Sequence, residues 1–356
     1  MAAAITTTST LTKPVNVIFQ QTLLRTARAL CPYFAGTVPG EVQQHAGSFT
    51  ASWRRIENLT PTTTALAELT GNESLPTRDS ITPSITSITA AVSKYGQYIL
   101  LNEEVDLMNF NGQTDDLAMK LGISAGRSLN MLERDEFEDN ATLVRVGGVA
   151  SNGLVNSKIT LTAIAKVIND LARNNAMVFM PESDGSTNIG TVPILPGYYG
   201  ACHPDVAYDI TTLSGFVSVE KYAGQVATMN GEFGMISTAG YGVRFVQTSD
   251  ASIDTNVGAA LGTGLRGSTN NDLYSVPIWG MDAVGSLGFG FQHVKESYTA
   301  GDKLPGVQVI NKDRGSSGVA DPLDELSTLG WKSWHAAKIL NSNWVETVIC
   351  AATKLS

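Results

Sequence analysis

The chain has 356 residues, and only 16% of them are Asp, Glu, Lys or Arg, against roughly 25% in an ordinary soluble domain. With 43% hydrophobic residues it can remove roughly 75% of its extended surface from water, so disorder driven by charge excess is excluded. A formal charge of -9 argues against a whole-surface affinity for nucleic acid or anionic membrane, and leaves only local contacts with polyanions.

Cys31, Cys202 and Cys350 lie far apart. That spacing suggests neither a CxxC redox pair, nor a thiolate metal site, nor a disulfide framework. The opening residues, Met1 to Thr7, carry no basic n-region and no apolar h-region. No later apolar run reaches the roughly 20 residues that span a bilayer. The expectation is a chain made in a reducing cytoplasm, with no membrane partner and no cofactor.

Residues 1–46 read as an arm punctuated by Thr, Ser, Pro and Gly, with helical character only from Phe19 to Leu30. Lys13, Arg25, Arg28, Arg54 and Arg55 face only Glu41, so the first 56 residues carry +4 in an acidic chain. From Gly47 to Asn58 the sequence alternates, with Phe49, Ala51 and Trp53 on one face, the period of a half-exposed strand. A Thr/Ser/Pro-rich excursion over residues 59–84 has a turn signal at Gly71-Asn72, and a β-rich return runs from Ile85 to Leu101. Together they predict an extended hairpin with a long tip, and long loops of this kind are usually functional.

Residues 114–139 predict the clearest helix. Thr114 is the expected N-cap, Asp115 and Asp116 suit the positive end of the dipole, and Leu117, Leu121, Ala125, Leu129 and Leu132 recur on one face. Its far end is acidic: residues 103–139 carry -7, with Glu133, Asp135, Glu136, Glu138 and Asp139 bunched together. This predicts a solvated or partner-facing surface and a natural mate for the basic arm. The glycines at 147, 148 and 153 suggest a boundary, and Ile164, Val167, Ile168 and Leu171 mark a second helix over 162–175. Beyond it the chain turns β-rich at 231–248 and 271–290. The runs 331–340 and 344–352, flanking Asn341-Ser342-Asn343, predict a terminal hairpin. No internal repeat is evident, which disfavours a solenoid or propeller.

Four features invite catalytic or ligand-binding readings. Gly122-Ile123-Ser124-Ala125-Gly126 fits the GxSxG elbow of serine hydrolases, but it sits inside the helical register of 114–139 instead of a strand-to-helix turn. Nothing ties Ser124 to His203, His293 or His335. Residues 262–267 fit GxGxxG, yet they lead toward the strand-like Leu273 to Ile278 rather than a helix, and predict a surface loop. His203-Pro204-Asp205 lacks a third local ligand for a metal. The acids at 133–139 could supply paired carboxylates, but their bunching at a helix end fits a surface better.

Several strings carry a resemblance: Tyr199-Gly200-Ala201-Cys202-His203-Pro204-Asp205-Val206, Gly231 to Ile236 leading to Val243 to Thr248, Gly330-Trp331-Lys332, and Ala336 to Asn341 with Trp344. With the element order, they resemble the major capsid proteins of tailed phages with the Hong Kong 97 type fold, in particular the N-four-type coat protein family, from about Gly47 to the terminus. Ser237 to Tyr241 reads as an insertion where a tighter turn is expected.

The resemblance implies an α+β fold with an N-terminal arm (1–46), an extended β-hairpin loop (47–101) reaching over a neighbour, and a peripheral domain with a spine helix (102–150). An axial domain (151–300) and a return to the peripheral domain (301–356) complete it. It also implies a shell of hexamers and pentamers around double-stranded DNA, contacted weakly, and assembled in the bacterial host cytoplasm. The implied partners are a portal, a separate scaffold protein and, in some relatives, a decoration protein. Within that picture Arg25, Arg28, Arg54 and Arg55 would meet Glu133, Asp135 and Glu136 between copies, orienting assembly. Residues 48–93 contain no lysine, so covalent cross-linking through the loop is not expected. Two other classes stay open: a β-rich adhesion or virion decoration module, suggested by the Thr/Ser/Gly content, and a serine hydrolase using Ser124.

Overall fold

The computed structural model describes residues 32–42, 50–57, 59, 61–63, 65, 81–104, 113–179, 196–221, 231–238, 240–287, 307–312, 314 and 322–355. It is an α+β, sheet-rich structure. In chain order the elements are β1 (Val38–Pro39), β2 (Glu41–Val42), β3 (Thr50–Ile56), β4 (Ile85–Ala91), β5 (Ser93–Asn102), α1 (Gln113–Asp139), β6 (Thr142–Arg145) and α2 (Leu161–Arg173). They continue as β7 (Gly197–Cys202), α3 (Pro204–Thr211), β8 (Phe216–Ser218), β9 (Glu232–Thr238), β10 (Tyr241–Gln247), β11 (Ile253–Asp254), β12 (Leu273–Trp279) and β13 (Val284–Ser286). The last are β14 (Val307–Lys312), β15 (Leu326–His335), β16 (Ala337–Ile339) and β17 (Val345–Cys350).

The largest sheet has eight strands, in the order β6-β17-β12-β7-β10-β9-β8 with β11 paired to β12. One face carries α2 and α3: Ile164, Val167, Ile168 and Leu171 of α2 and Val206 and Ile210 of α3 pack on Tyr198, Val243, Phe245, Val276, Ile278 and Val348. On the other face Tyr199, Ala201, Trp279 and Val345 pack with Phe137 from α1 and with Tyr33. Burial on both faces explains why β7, β12 and β17 are buried at every position and show no alternation. Thr160 caps α2 by accepting the Ala163 amide at 3.3 Å.

A second sheet, β14-β15-β5, packs against α1. Leu121, Ala125 and Leu129 of the helix meet Val307, Leu329 and Trp331. The helix begins at Gln113, one residue before the expected cap at Thr114. The third sheet, β2-β3-β4, is the predicted hairpin, and the fourth is β1-β13-β16.

Four expectations need correction. Ile85 to Leu101 is two strands, divided at buried Val92: β4 pairs with β3, whereas β5 pairs along its whole length with β15. The segment 331–352 is not a hairpin. Its strands β15, β16 and β17 enter three different sheets, because the turn at 342–344 delivers a run buried at every position, Val345–Cys350, into the interior of the large sheet. The end of the arm is packed: Tyr33 is fully buried, its ring lying 6.3 Å from that of Trp279, and Trp279 Nε1 donates to Ala35 O at 3.1 Å. Finally, Thr238 pairs with Tyr241, so two residues close the β9–β10 turn, with Gly240 at φ +88° supplying the left-handed position. This is the tight turn that an insertion was expected to replace.

Candidate assembly interface

Trp53 is the largest buried side chain holding the base of the β3–β4 hairpin. Trp53, on the buried face with Ala51, packs on Val92, Ala336 and Leu340. Its indole N–H donates to Val38 O at 3.1 Å. The ring lies in a slot where added Cβ atoms at Gly40 and Gly285 would come within 2.6 and 2.5 Å of it. Farther out, the directly opposed Ile56 and Ile85 are 68% and 60% exposed.

The two arginines of β3 have different roles. Arg54 is exposed. Arg55 is half-buried and satisfied within its own chain: it pairs with Glu57 and donates to Leu340 O at 2.5 Å. The hydrogen bonds from Arg55 and Thr86 hold the Glu57 carboxyl below its ordinary range. Arg25, Arg28 and Phe49 lie outside the described residues, as do His293 and most of the hairpin tip.

The acidic end of α1 largely faces inward, which corrects the expectation of a solvated surface. Glu133 has no exposed side-chain surface, and its Oε2 stands 3.4 Å from His335 Nε2. Burial pushes the Glu133 carboxyl up against the opposing pull of His335 and Ser286. Glu136 accepts the Ile339 amide at 3.0 Å and pairs with Lys338 at 3.3 Å. Glu138 is raised to about 7, mainly by burial. Only Asp135, half exposed beside Arg134, and Asp139 present carboxylates outward. Farther back on the helix, Arg127 and Asn130 both donate to the buried carboxylate of Asp250, at 2.6 and 3.2 Å. The cause in every case is tertiary: β13, β15, β16 and the turn at 248–252 pack against that end of α1. Neither the inward acids nor Asp250 carries a local sequence signal.

The catalytic motifs resolve into structure. Ser124 lies in mid-helix and its hydroxyl donates to Gln97 Oε1 at 2.6 Å, so it has none of the strand-to-helix elbow that a nucleophile needs. His203 is the N-cap of α3 and accepts the Asp205 amide through Nδ1. Asp205 in turn binds Arg266 at 2.9 Å and accepts from the Tyr274 hydroxyl. Residues 262–267 form a surface loop that leads to β12. It is fastened by Asn256 Oδ1, which accepts the amides of Ser268, Thr269 and Asn270. Cys202 and Cys350 are buried free thiols, and burial pushes both above their ordinary range. Among the described residues no three His, Cys, Asp or Glu side chains cluster as metal ligands, and no helix is long and apolar enough to cross a membrane.

No family model matches the chain, and no curated protein matches it. Solved phage structures do. A chain of the Cyanophage Pam1 capsid asymmetric unit aligns with a TM-score of 0.54 at 12% identity, covering 92% of this chain and 93% of that one. A chain of the Helicobacter pylori bacteriophage KHP40 head gives 0.53 at 11% identity, covering 92% and 91%. The capsid of Ralstonia phage GP4 gives 0.52 at 9%, covering 87% and 85%. At these identities the shared property is the fold, and it is the fold of phage capsid chains.

Proposed function

We propose that this chain is the major capsid protein of a tailed phage, self-assembling as hexamers and pentamers into an icosahedral shell around double-stranded DNA. The observation that carries the reading is the match to a capsid chain over more than nine-tenths of both chains. A module grafted onto a larger fold would align over only part of its counterpart. The Hong Kong 97 type division follows as part of the proposal. In it β3 and β4 are the base of an extended loop, and α1 with β5, β14 and β15 is the peripheral domain. Strands β7 to β12 with α2 and α3 are the axial domain.

Several features support a structural role. The exposed pair Ile56/Ile85 and the exposed Arg54 sit on the hairpin, where a neighbour would be met. Asp135 and Asp139 are the acids at the far end of α1 still able to receive a basic segment from another copy. An acidic chain would contact packaged DNA only weakly and locally. A scaffold protein, a portal and a decoration protein are the expected partners, and the host cytoplasm the place of assembly.

Sedimentation velocity on the purified chain, with negative-stain imaging of any fast fraction, tests the reading. A ring near six copies of 37.7 kDa, about 226 kDa, or a closed shell supports it. A stable dimer or trimer with nothing larger overturns it.

A further inference from the structure

The sheet β14-β15-β5 has two unlike faces. Its register turns Tyr95, Gln97 and Ile99 of β5, with Ser333, Trp331 and Leu329 of β15, toward α1. The opposite face carries Lys94, Gly96, Tyr98 and Leu100 beside Trp334, Lys332, Gly330 and Thr328, with Ile310 and Lys312 of β14 alongside. Tyr98 is 74% and Leu100 54% exposed there.

Two glycines shape this open face. A Cβ at Gly96 would stand 2.6 Å from Trp331 O, and one at Gly330 would stand 2.9 Å from Tyr98 Cβ. The strands therefore approach too closely for side chains at these points. What remains is a depression of about 170 Å³ lined by Gly96, Tyr98, Ile310, Thr328, Gly330 and Trp331. An apolar cavity of roughly 150 Å³ accepts a benzene-sized guest. The rim is cationic: Lys94, Lys312 and Lys332 lie on this face, and the sheet segments 93–101, 307–312 and 327–335 contain no acid.

The complementary shape stands immediately before β15. Pro322-Leu323-Asp324-Glu325 forms an exposed turn in which Leu323 is 76% exposed and Asp324 takes φ +53°. It presents one apolar knob flanked by two carboxylates. The knob does not fill its own chain's depression. Leu326 is already paired with Asn102, and Gly330, at the depression, lies four residues farther along an extended strand, on the order of 13 Å away.

We propose that Leu323 of one copy seats in the glycine-floored depression of a second copy, with Asp324 and Glu325 set against Lys332 and Lys312. The two patches are different surfaces of one chain, so the contact is compatible with head-to-tail propagation into a ring or shell. The inference rests on the capsid reading and deepens it by naming one contact between copies.

The test uses the full chain with two charge reversals, Asp324→Lys and Lys332→Glu, singly and together. Both residues are at the surface or its margin, and circular dichroism melting checks that each variant folds. Each single variant is expected to weaken self-association by about tenfold or more, through like charges at the contact, and the pair to restore it to within about threefold of the parent. In a second measurement, chains carrying Leu323→Cys are co-assembled with chains carrying Tyr98→Cys and treated with a short bis-maleimide. A band near twice 37.7 kDa that is absent from either variant alone supports the contact. Assembly of the parent chain that both single reversals leave unchanged, or a double variant no better than the singles, overturns the docking and leaves the capsid reading intact. A parent chain held at a dimer or trimer overturns both.

Discussion

Glu133 of α1 and His335 of β15 form a buried acid–base pair, 3.4 Å apart, with side chains 0% and 4% exposed. The ring of Phe34 packs edge-on against the imidazole, with centroids 5.9 Å apart. Three segments distant in sequence thus meet at one polar contact inside an apolar joint.

Removing either partner strands the other in a site closed to solvent, and breaking a buried pair costs about 3–5 kcal/mol. Glu133→Ala and His335→Ala are each expected to lower stability by that order in urea unfolding. Glu133→Leu combined with His335→Leu should recover much of it. A Glu133→Ala/His335→Ala double variant that loses the full sum of the two single losses would show that the two side chains do not interact.

The adjacent arginines should separate assembly from folding. Arg54→Glu is expected to leave the melting temperature unchanged and to reduce the assembled fraction in sedimentation. Arg55→Glu places a carboxylate beside Glu57 and Leu340 O, and should lower the melting temperature as well. Equal behaviour of the two variants in both assays would contradict the division of roles.

Trp53→Ala would empty the slot between Gly40 and Gly285 that anchors the hairpin. A buried Trp truncation costs about 3–5 kcal/mol. Exchange protection of the amides in β3 and β4 should fall more than that of β7 and β12, which belong to the separate large sheet. Uniform loss of protection would mean that the hairpin and that sheet unfold as one unit.

Glu346 of β17 is raised from 4.5 to about 7 by burial, with Asp170 adding and Lys166 opposing. Its proton is held more tightly in the folded chain than in the unfolded one, so stability from this group falls as pH rises from 4.5 to 7 and is lost above 7. Glu138 behaves likewise. Glu346→Gln is expected to raise the melting temperature at pH 8 and to change it little at pH 4. An unchanged pH slope between 5 and 8 would show that the group does not titrate there.

Legibility differed from element to element. The 3.6-residue period of Leu121, Ala125 and Leu129 was enough to place α1, and the alternation of Ala51, Trp53 and Arg54 was enough to place β3, because both elements are apolar on one face only. Strands β7, β12 and β17 hid their pairing. They are buried on both faces, carry no period, and gave no hint that 331–352 would feed three sheets. The interface residues divided in the same way. Arg54 is exposed as its place on the alternation implied, whereas nothing local marked Arg55 as satisfied by Leu340, 285 residues away.

Local rules, which need only neighbours a few positions apart, settled the long helix, the hairpin, the non-elbow setting of Ser124 and the loop character of 262–267. Long-range packing settled where the charges went. The seven-unit negative excess of residues 103–139 is a property of composition, but which carboxylates meet solvent depends on what folds against α1. Strands β13, β15 and β16 do so, from almost 150 residues or more farther along the chain, and they take Glu133 and Glu136 inside. Asp135 and Asp139 are left as outward charges because the helix turns them away from those strands.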